Sequence, residues 1–295
     1  MRYTIAHRTR YLYPVPVHES HTIVHLQPRS DYTQYCTRYD LQVSPRARIF
    51  SYADRYGNDV QHFAVLPEHS ALEVVARSQV VTVRGDATPP QPLARKAVDT
   101  DPALGELYDF LHESRYVHFS DALDAFAASI GTPGPDDDVV AWFRAACDAI
   151  HDGFTYDKET TTVSATVEEA VQHRSGVCQD FAHVLIALCR RTGIPARYVS
   201  GYIHSGSEET LGAEASHAWA EAYLGPRGWV GIDPTNATWI GDGFVRVAAG
   251  RDYRDVSPVR GIYVGASSST MSVDVAVEAL SPEQQQREQE HMQQQ

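Results

Sequence analysis

The sequence predicts an α+β fold: an N-terminal antiparallel β-sandwich or barrel-like domain, followed by helices packed on a second antiparallel sheet. Three observations carry this. Short β-branched and aromatic runs with period-two alternation dominate residues 1–84. A break rich in proline follows, Gly85-Asp86-Ala87-Thr88-Pro89-Pro90-Gln91-Pro92. Beyond it helical periodicity comes first, and alternation returns only after Pro195. The reading divides the chain into a β domain (1–84), a linker (85–100), a core (101–280) and a polar Gln-rich tail (281–295) that has nothing to bury.

Taken in order, residues 2–13 are rich in Tyr, Thr and Ile and read as a strand ended by Pro14 and Pro16. Residues 23–26, 39–43 and 49–52 read as further strands. Asp54-Arg55-Tyr56-Gly57-Asn58-Asp59 is a turn, with 60–66 returning as the hairpin partner and 71–83 as a longer strand. In the core, residues 101–113 and 121–130 read as helices, and Asp136-Asp137-Asp138 opens a third through Trp142, Phe143, Cys147 and Ile150. Thr166-Val167-Glu168-Glu169 carries a capping-box pattern for a short helix to His173. Phe181, Val184, Leu185 and Leu188 form one apolar stripe of the next helix, which Gly193 and Pro195 stop. Residues 196–203, 217–224, 228–232 and 244–247 then read as strands, and 271–278 alternates with Val273, Val275 and Val277 on one face.

Composition narrows the function. A net charge of −13 argues against a nucleic-acid partner and against an anionic membrane surface. No apolar run is long enough to span a bilayer, and the N-terminus alternates like a strand without the pattern of a signal peptide. Four cysteines without a CxxC pair point to reduced thiols and a cytoplasmic location. No phosphate-binding loop, dinucleotide glycine fingerprint or HExxH occurs, so neither cofactor nor metal is expected. His18, His21 and His25 are weak metal candidates, since only His21 and His25 share a strand face.

The chemistry concentrates around Cys178. It follows a glycine turn, Arg174-Ser175-Gly176-Val177, and opens a helix, where unpaired N–H groups and the dipole favour a thiolate. His217 and Asp233 follow in order, each in a marked local context. Cysteine, histidine and aspartate are the parts of a thiol acyl-transfer site. Cys36, Cys147 and Cys189 read as structural, Asp180 as a helix-start acid, and His183 as a packing residue. Trp219 stands two positions from His217 on the same strand face, which makes it a candidate substrate-binding residue.

Three segments together resemble a known family: Gly176-Val177-Cys178-Gln179-Asp180-Phe181-Ala182-His183, His217-Ala218-Trp219 and Asp233-Pro234-Thr235-Asn236. They resemble the transglutaminase-like superfamily, and more narrowly its bacterial transglutaminase-like cysteine protease group. The N-terminal stretches Tyr11-Leu12-Tyr13-Pro14-Val15, Leu26-Gln27-Pro28-Arg29 and Asp54-Arg55-Tyr56-Gly57-Asn58 are similar to that group's β-region. The resemblance covers most of residues 1–265 and implies a papain-like core. Cys178 would be the nucleophile, His217 the general base and acid, and Asp233 the residue that orients the imidazole. The implied substrate is a peptide or protein amide, with hydrolysis slightly favoured over transfer to an amine acceptor. The Cys178 N–H is the first candidate oxyanion donor. The competing class is a catalytically silent binding protein on the same fold.

Overall fold

The computed structural model describes residues 1–157, 166–204, 211 and 216–280. The Gln-rich tail lies outside the described residues. Five strands come first: β1 (Arg2–Val24), β2 (Gln34–Ser44), β3 (Phe50–Ala53), β4 (Asp59–Val65) and β5 (His69–Thr82). β1 is longer than the sequence suggests. Pro14 and Pro16 do not end it; they fall where its pairing with β5 is interrupted, between Leu12 and Val17. Proline removes ladder donors, so it marks the gap in pairing rather than the end of the strand. Residues 23–26, read as a separate strand, begin inside the last turn of this same ribbon.

Before the break β1 pairs with β5; after it Val17 still meets His69 of β5, and from Ser20 β1 pairs with β4. One continuous strand thereby belongs to two antiparallel ladders, with Tyr13, Val17, Val24, Phe63, Leu72 and Val74 buried between them.

The core follows. It contains α1 (Lys96–Asp99), α2 (Asp121–Ile130), α3 (Val139–Gly153), β6 (Thr155–Tyr156), α4 (Val167–His173), β7 (Ser175–Gly176) and α5 (Cys178–Arg191). The capping box of α4 forms as expected: Thr166 Oγ1 accepts the Glu169 N–H at 3.2 Å and Glu169 accepts the Thr166 N–H at 2.8 Å. Residues 101–113 differ from expectation. They form only two 3₁₀ turns, Pro102–Glu106 and Tyr108–Phe110. None of the residues in those turns is buried, so packing rewards no longer helix there, and Gly105 weakens it further.

The second sheet contains β8 (Ala196–Ile203), β9 (His217–Tyr223), β10 (Trp229–Asp233), β11 (Thr238–Trp239) and β12 (Phe244–Gly250), in the order β11-β10-β9-β8-β12. α5 lies against β8 and β9 on one side and against α2, α3 and α4 on the other. Every residue from Cys178 to Arg190 is buried, so the expected single apolar stripe is a helix enclosed on all sides.

After α6 (Tyr253–Val256) the chain leaves the core. β13 (Val259–Val264) pairs with the second half of β1, and β14 (Thr270–Ala279) with the first half. The sequence reading placed these residues in the core domain. Their alternation is the same, but the ladder they complete is that of the N-terminal region.

That region also covers an edge of the core sheet. Gln34 and Asn58 are fully buried. The Gln34 side chain donates to the Arg246 carbonyl at 2.7 Å and accepts its N–H at 2.8 Å. Asn58 makes the same pair with Ala249, both at 2.9 Å. Two side-chain amides thus serve the outer backbone groups of edge strand β12. His7 adds a 3.1 Å hydrogen bond to the Tyr202 hydroxyl across the same boundary. Among the described residues no helix is long and apolar enough to cross a membrane.

Candidate active site

The approach to Cys178 is fixed before the helix begins. β6 and β7 form a short parallel pair, in which Thr155 donates to Arg174 at 2.8 Å and Asp157 to Gly176 at 2.9 Å. Arg174 takes a left-handed conformation at φ 52°, and its guanidinium lies 4.3 Å above the Phe126 ring. The next constraint is Gly176. A Cβ there would meet Asp180 Cβ and Oδ2, both at 2.8 Å. The space is needed because the Asp180 carboxylate turns back to accept the Val177 N–H at 2.9 Å. Asp180 is therefore a helix-start acid, and Cys178 is the first residue of α5 with its own N–H at the helix head. Replacing Gly176 by alanine is expected to displace this cap and lower stability by about 1–3 kcal/mol. Thermal denaturation checks the loss, and iodoacetamide labelling should show a slower Cys178.

His217 opens β9 and Asp233 closes β10, the neighbouring antiparallel strand. Ile232 pairs with Ala220, so Asp233 reaches His217 along the diagonal. His217 Nε2 donates to Asp233 Oδ2 at 2.8 Å. Exposure is 9% for Cys178, 1% for His217 and 0% for Asp233. Burial alone would push the imidazole toward the neutral form. The Asp233 charge and hydrogen bond, reinforced by Cys178, override it and hold His217 up at about 10. Burial opposes the Asp233 charge as well, yet His217, Asn236 and the Thr235 N–H keep it below the ordinary carboxylate range. With Nε2 committed to Asp233, Nδ1 is the ring nitrogen left for the Cys178 thiol. It makes no hydrogen bond of standard geometry among the described residues. A charged imidazole beside the thiol is the arrangement that a thiolate–imidazolium pair requires.

Of the remaining candidates, Trp219 lies beside His217, their ring centroids 6.5 Å apart. Trp219 is fully buried, packed edge-on to Phe244 with ring centroids 5.4 Å apart. Gly201 on β8 makes room for it, since a Cβ there would come within 2.6 Å of the indole. Cys147 and Cys189 are buried, and burial pushes both thiols above the ordinary range. Cys36 is half-buried on β2. His183 accepts the Tyr253 N–H at 3.2 Å and stacks on Tyr116. His25 bonds the Ser257 carbonyl, and His21 stacks on His62. Among the described residues no group of three or more His, Cys, Asp or Glu is placed to hold a metal ion.

Two tyrosines beside the thiol escaped the sequence reading. Burial raises the Tyr198 phenol well above its ordinary range, with Cys178 the next cause. Burial raises Tyr253 too, and Cys178 adds to it. Tyr198 carried a signal, as an aromatic residue on a strand that covers α5. Tyr253 carried none, because the chain returns to the site only after β12.

Residues 124–234 match the transglutaminase-like superfamily, and residues 3–81 match the bacterial transglutaminase-like N-terminal region. An uncharacterized protein of Mycobacterium tuberculosis is 34% identical over 299 residues, covering 94% of this chain and 92% of its own length. A protein-glutamine gamma-glutamyltransferase of Pseudomonas aeruginosa is 33% identical over 92 residues, 29% of this chain and 14% of that one. The crystal structure of a candidate cysteine protease from Cytophaga hutchinsonii superposes with a TM-score of 0.75 at 26% identity, covering 95% of this chain and 92% of that one. The first matched segment contains Cys178, His217 and Asp233 and the second spans most of the N-terminal strands, so the chain belongs to the transglutaminase-like superfamily, in the bacterial form that carries its own N-terminal β-region.

Proposed function

We propose that the protein is a cysteine-dependent amide hydrolase or acyl transferase, acting on a peptide or on glutamine-type side-chain amides. Membership of the superfamily supports a papain-like cysteine enzyme, and the buried His217–Asp233 pair beside the head of α5 carries the reading further. The Cys178 thiolate adds to the amide carbonyl. The tetrahedral oxyanion takes the Cys178 N–H as one donor. His217 gives its proton to the departing nitrogen as the C–N bond breaks, leaving a thioester and a free amine or ammonia. Water, deprotonated by His217, then attacks the thioester to give the acid and restore the thiol. A primary amine in place of water gives a new amide. No cofactor enters either route.

Hydrolysis is the favoured outcome. The structural relative that spans 95% of the chain is named for proteolysis, whereas the glutamyltransferase matches only 29% of it. Trp219, expected to bind substrate, is fully buried behind His217 and so backs the imidazole instead of meeting substrate. Four free cysteines fit a reducing, cytoplasmic setting.

The test is intact-mass spectrometry on protein incubated with glutamine-containing peptides, with and without cadaverine. An acyl adduct on Cys178 that decays to free acid supports hydrolysis. Formation of a cadaverine amide assigns transfer. Loss of both in Cys178→Ala ties the chemistry to the thiol. A reactive thiol that forms neither product across a peptide panel would favour a binding protein.

A further inference from the structure

We propose that Asn236 is a positioning residue of this site, fixing the Asp233 carboxylate against His217. The inference rests on the triad reading above. Asn236 Nδ2 donates to Asp233 Oδ2 at 2.8 Å, the same oxygen that accepts from His217 at 2.8 Å. The Thr235 N–H takes the other oxygen at 2.9 Å. The carboxylate therefore has a donor on each oxygen and two on the one facing the imidazole, and it cannot rotate without losing one of them. The Asn236 amide also reaches the chain ahead of His217, accepting the Leu211 N–H at 3.0 Å and donating to the Leu211 carbonyl at 3.2 Å. One side chain thus ties the aspartate's turn to Leu211.

The turn that carries Asn236 is held from outside. Three side chains at i, i+3 and i+7 on α3 meet alternate carbonyls. Arg144 donates to Ala237 at 2.8 Å, His151 to Thr235 at 3.0 Å, and the Cys147 thiol to Asp233 at 3.7 Å. Ala237 takes φ 46°, a left-handed conformation that a non-glycine residue holds only where its surroundings impose it. Both arrangements serve one outcome, a fixed position for Asn236 and Asp233.

A residue that only closed the turn would affect stability alone. A residue that shares Oδ2 with His217 also sets how much carboxylate charge the imidazole feels. Removing the amide donor leaves that charge to His217, so the imidazolium should hold its proton to higher pH.

The experiment follows the His217 ring by NMR of protein labelled with 13C at histidine Cε1. The resonance is assigned by its loss in His217→Asn, and iodoacetamide labelling of Cys178 is measured alongside. Asn236→Ala is expected to move the His217 midpoint up by about one pH unit, with labelling at pH 7 no slower than in the wild type because the imidazolium persists in both. Asn236→Asp, which keeps the shape but replaces a donor with a second carboxylate, is expected to move the midpoint further in the same direction. If Ala does not fold, Asn236→Leu, which keeps the size and removes the donor without adding charge, decides. A midpoint unchanged in the folded variants overturns the proposal while leaving the triad intact. Wild-type labelling that is slow and indifferent to His217→Asn overturns the triad reading, and the proposal with it.

Discussion

Replacing His217 by asparagine is expected to slow alkylation of Cys178 at pH 6 by about a hundredfold and amide turnover by about 10⁴-fold. The reason is reciprocity. Cys178 contributes to holding a proton on His217, so His217 must stabilise the thiolate by the same coupling. At pH 6 an isolated thiol is almost wholly protonated. In the wild type the imidazolium persists until pH approaches about 10. The imidazolium's contribution to alkylation should therefore persist through weak acid and neutral pH and change near pH 10, when His217 loses its proton. His217→Asn should lack that change. Asp233→Asn should lie close to it, because the ring loses both its orientation and the charge that holds its proton. The same shift enters folding. A histidine with a raised folded pKa stabilises fully below its ordinary value of about 6.5. That contribution is lost as pH rises toward about 10. Iodoacetamide rates from pH 5 to 11, read by intact mass, check the profile. A wild-type curve with a single step in the ordinary thiol range would remove the ion pair.

Much of this site was legible because its signals are local. A glycine turn before a helix, a histidine at a strand start and an aspartate before a proline each report on a few adjacent residues. The α4 capping box and the end of α5 before Gly193 are of the same kind. What could not be read depends on distance. Asn58 looked like turn chemistry, and it is in a turn, but its side chain serves Ala249 on the far side of the boundary. Residues 259–279 alternate like any strands, and alternation does not name a partner. The prolines of β1 interrupt a ladder where the chain passes from one pairing to another, and only the partners show that the strand continues. The enclosure of α5 is hidden for a related reason. One stripe is apolar enough to be noticed, whereas Asp180, His183 and Arg190 are buried by specific hydrogen-bond partners that no periodicity predicts. Arg190 alone donates to carbonyls of Ala196, His112 and Arg251.

Glu221→Ala is expected to lower stability by about 3–5 kcal/mol and the melting temperature by roughly 10 °C. Glu221 sits on β9 with 1% of its side chain exposed, paired with Arg197 at 2.6 Å and with Arg246. Arg246 continues to Asp31 of the N-terminal region at 2.9 Å. Arg197 also lies 4.1 Å above the Trp229 ring. Deleting the carboxylate strands the Arg197 guanidinium and leaves Arg246 to Asp31 alone, and that uncompensated buried charge makes the loss large. Glu221→Gln keeps the packing and should lose less. The acid limb follows from the same group. Burial would raise the Glu221 carboxyl, but Arg246 and Arg197 hold it down at about 2. An unfolded glutamate titrates near 4.3, so the stabilisation is complete above that and disappears as pH falls toward about 2. His7 acts at milder acidity. Burial lowers it to about 4, so the folded protein resists a proton that the unfolded chain accepts near 6.5. His183, lowered to about 3, and His25 act in the same direction, so the urea midpoint of the wild type should fall from about pH 6.5 with the histidines and, overlapping them, below about 4.3 with the carboxylates. Glu221→Ala should start lower, keep the histidine stage and lose part of the carboxylate stage, the lowered Asp233 and Asp255 supplying the rest. A variant with the wild-type midpoint at pH 7 would mean that the two arginines find other acceptors, and the network would then be incidental to the joining of the two halves.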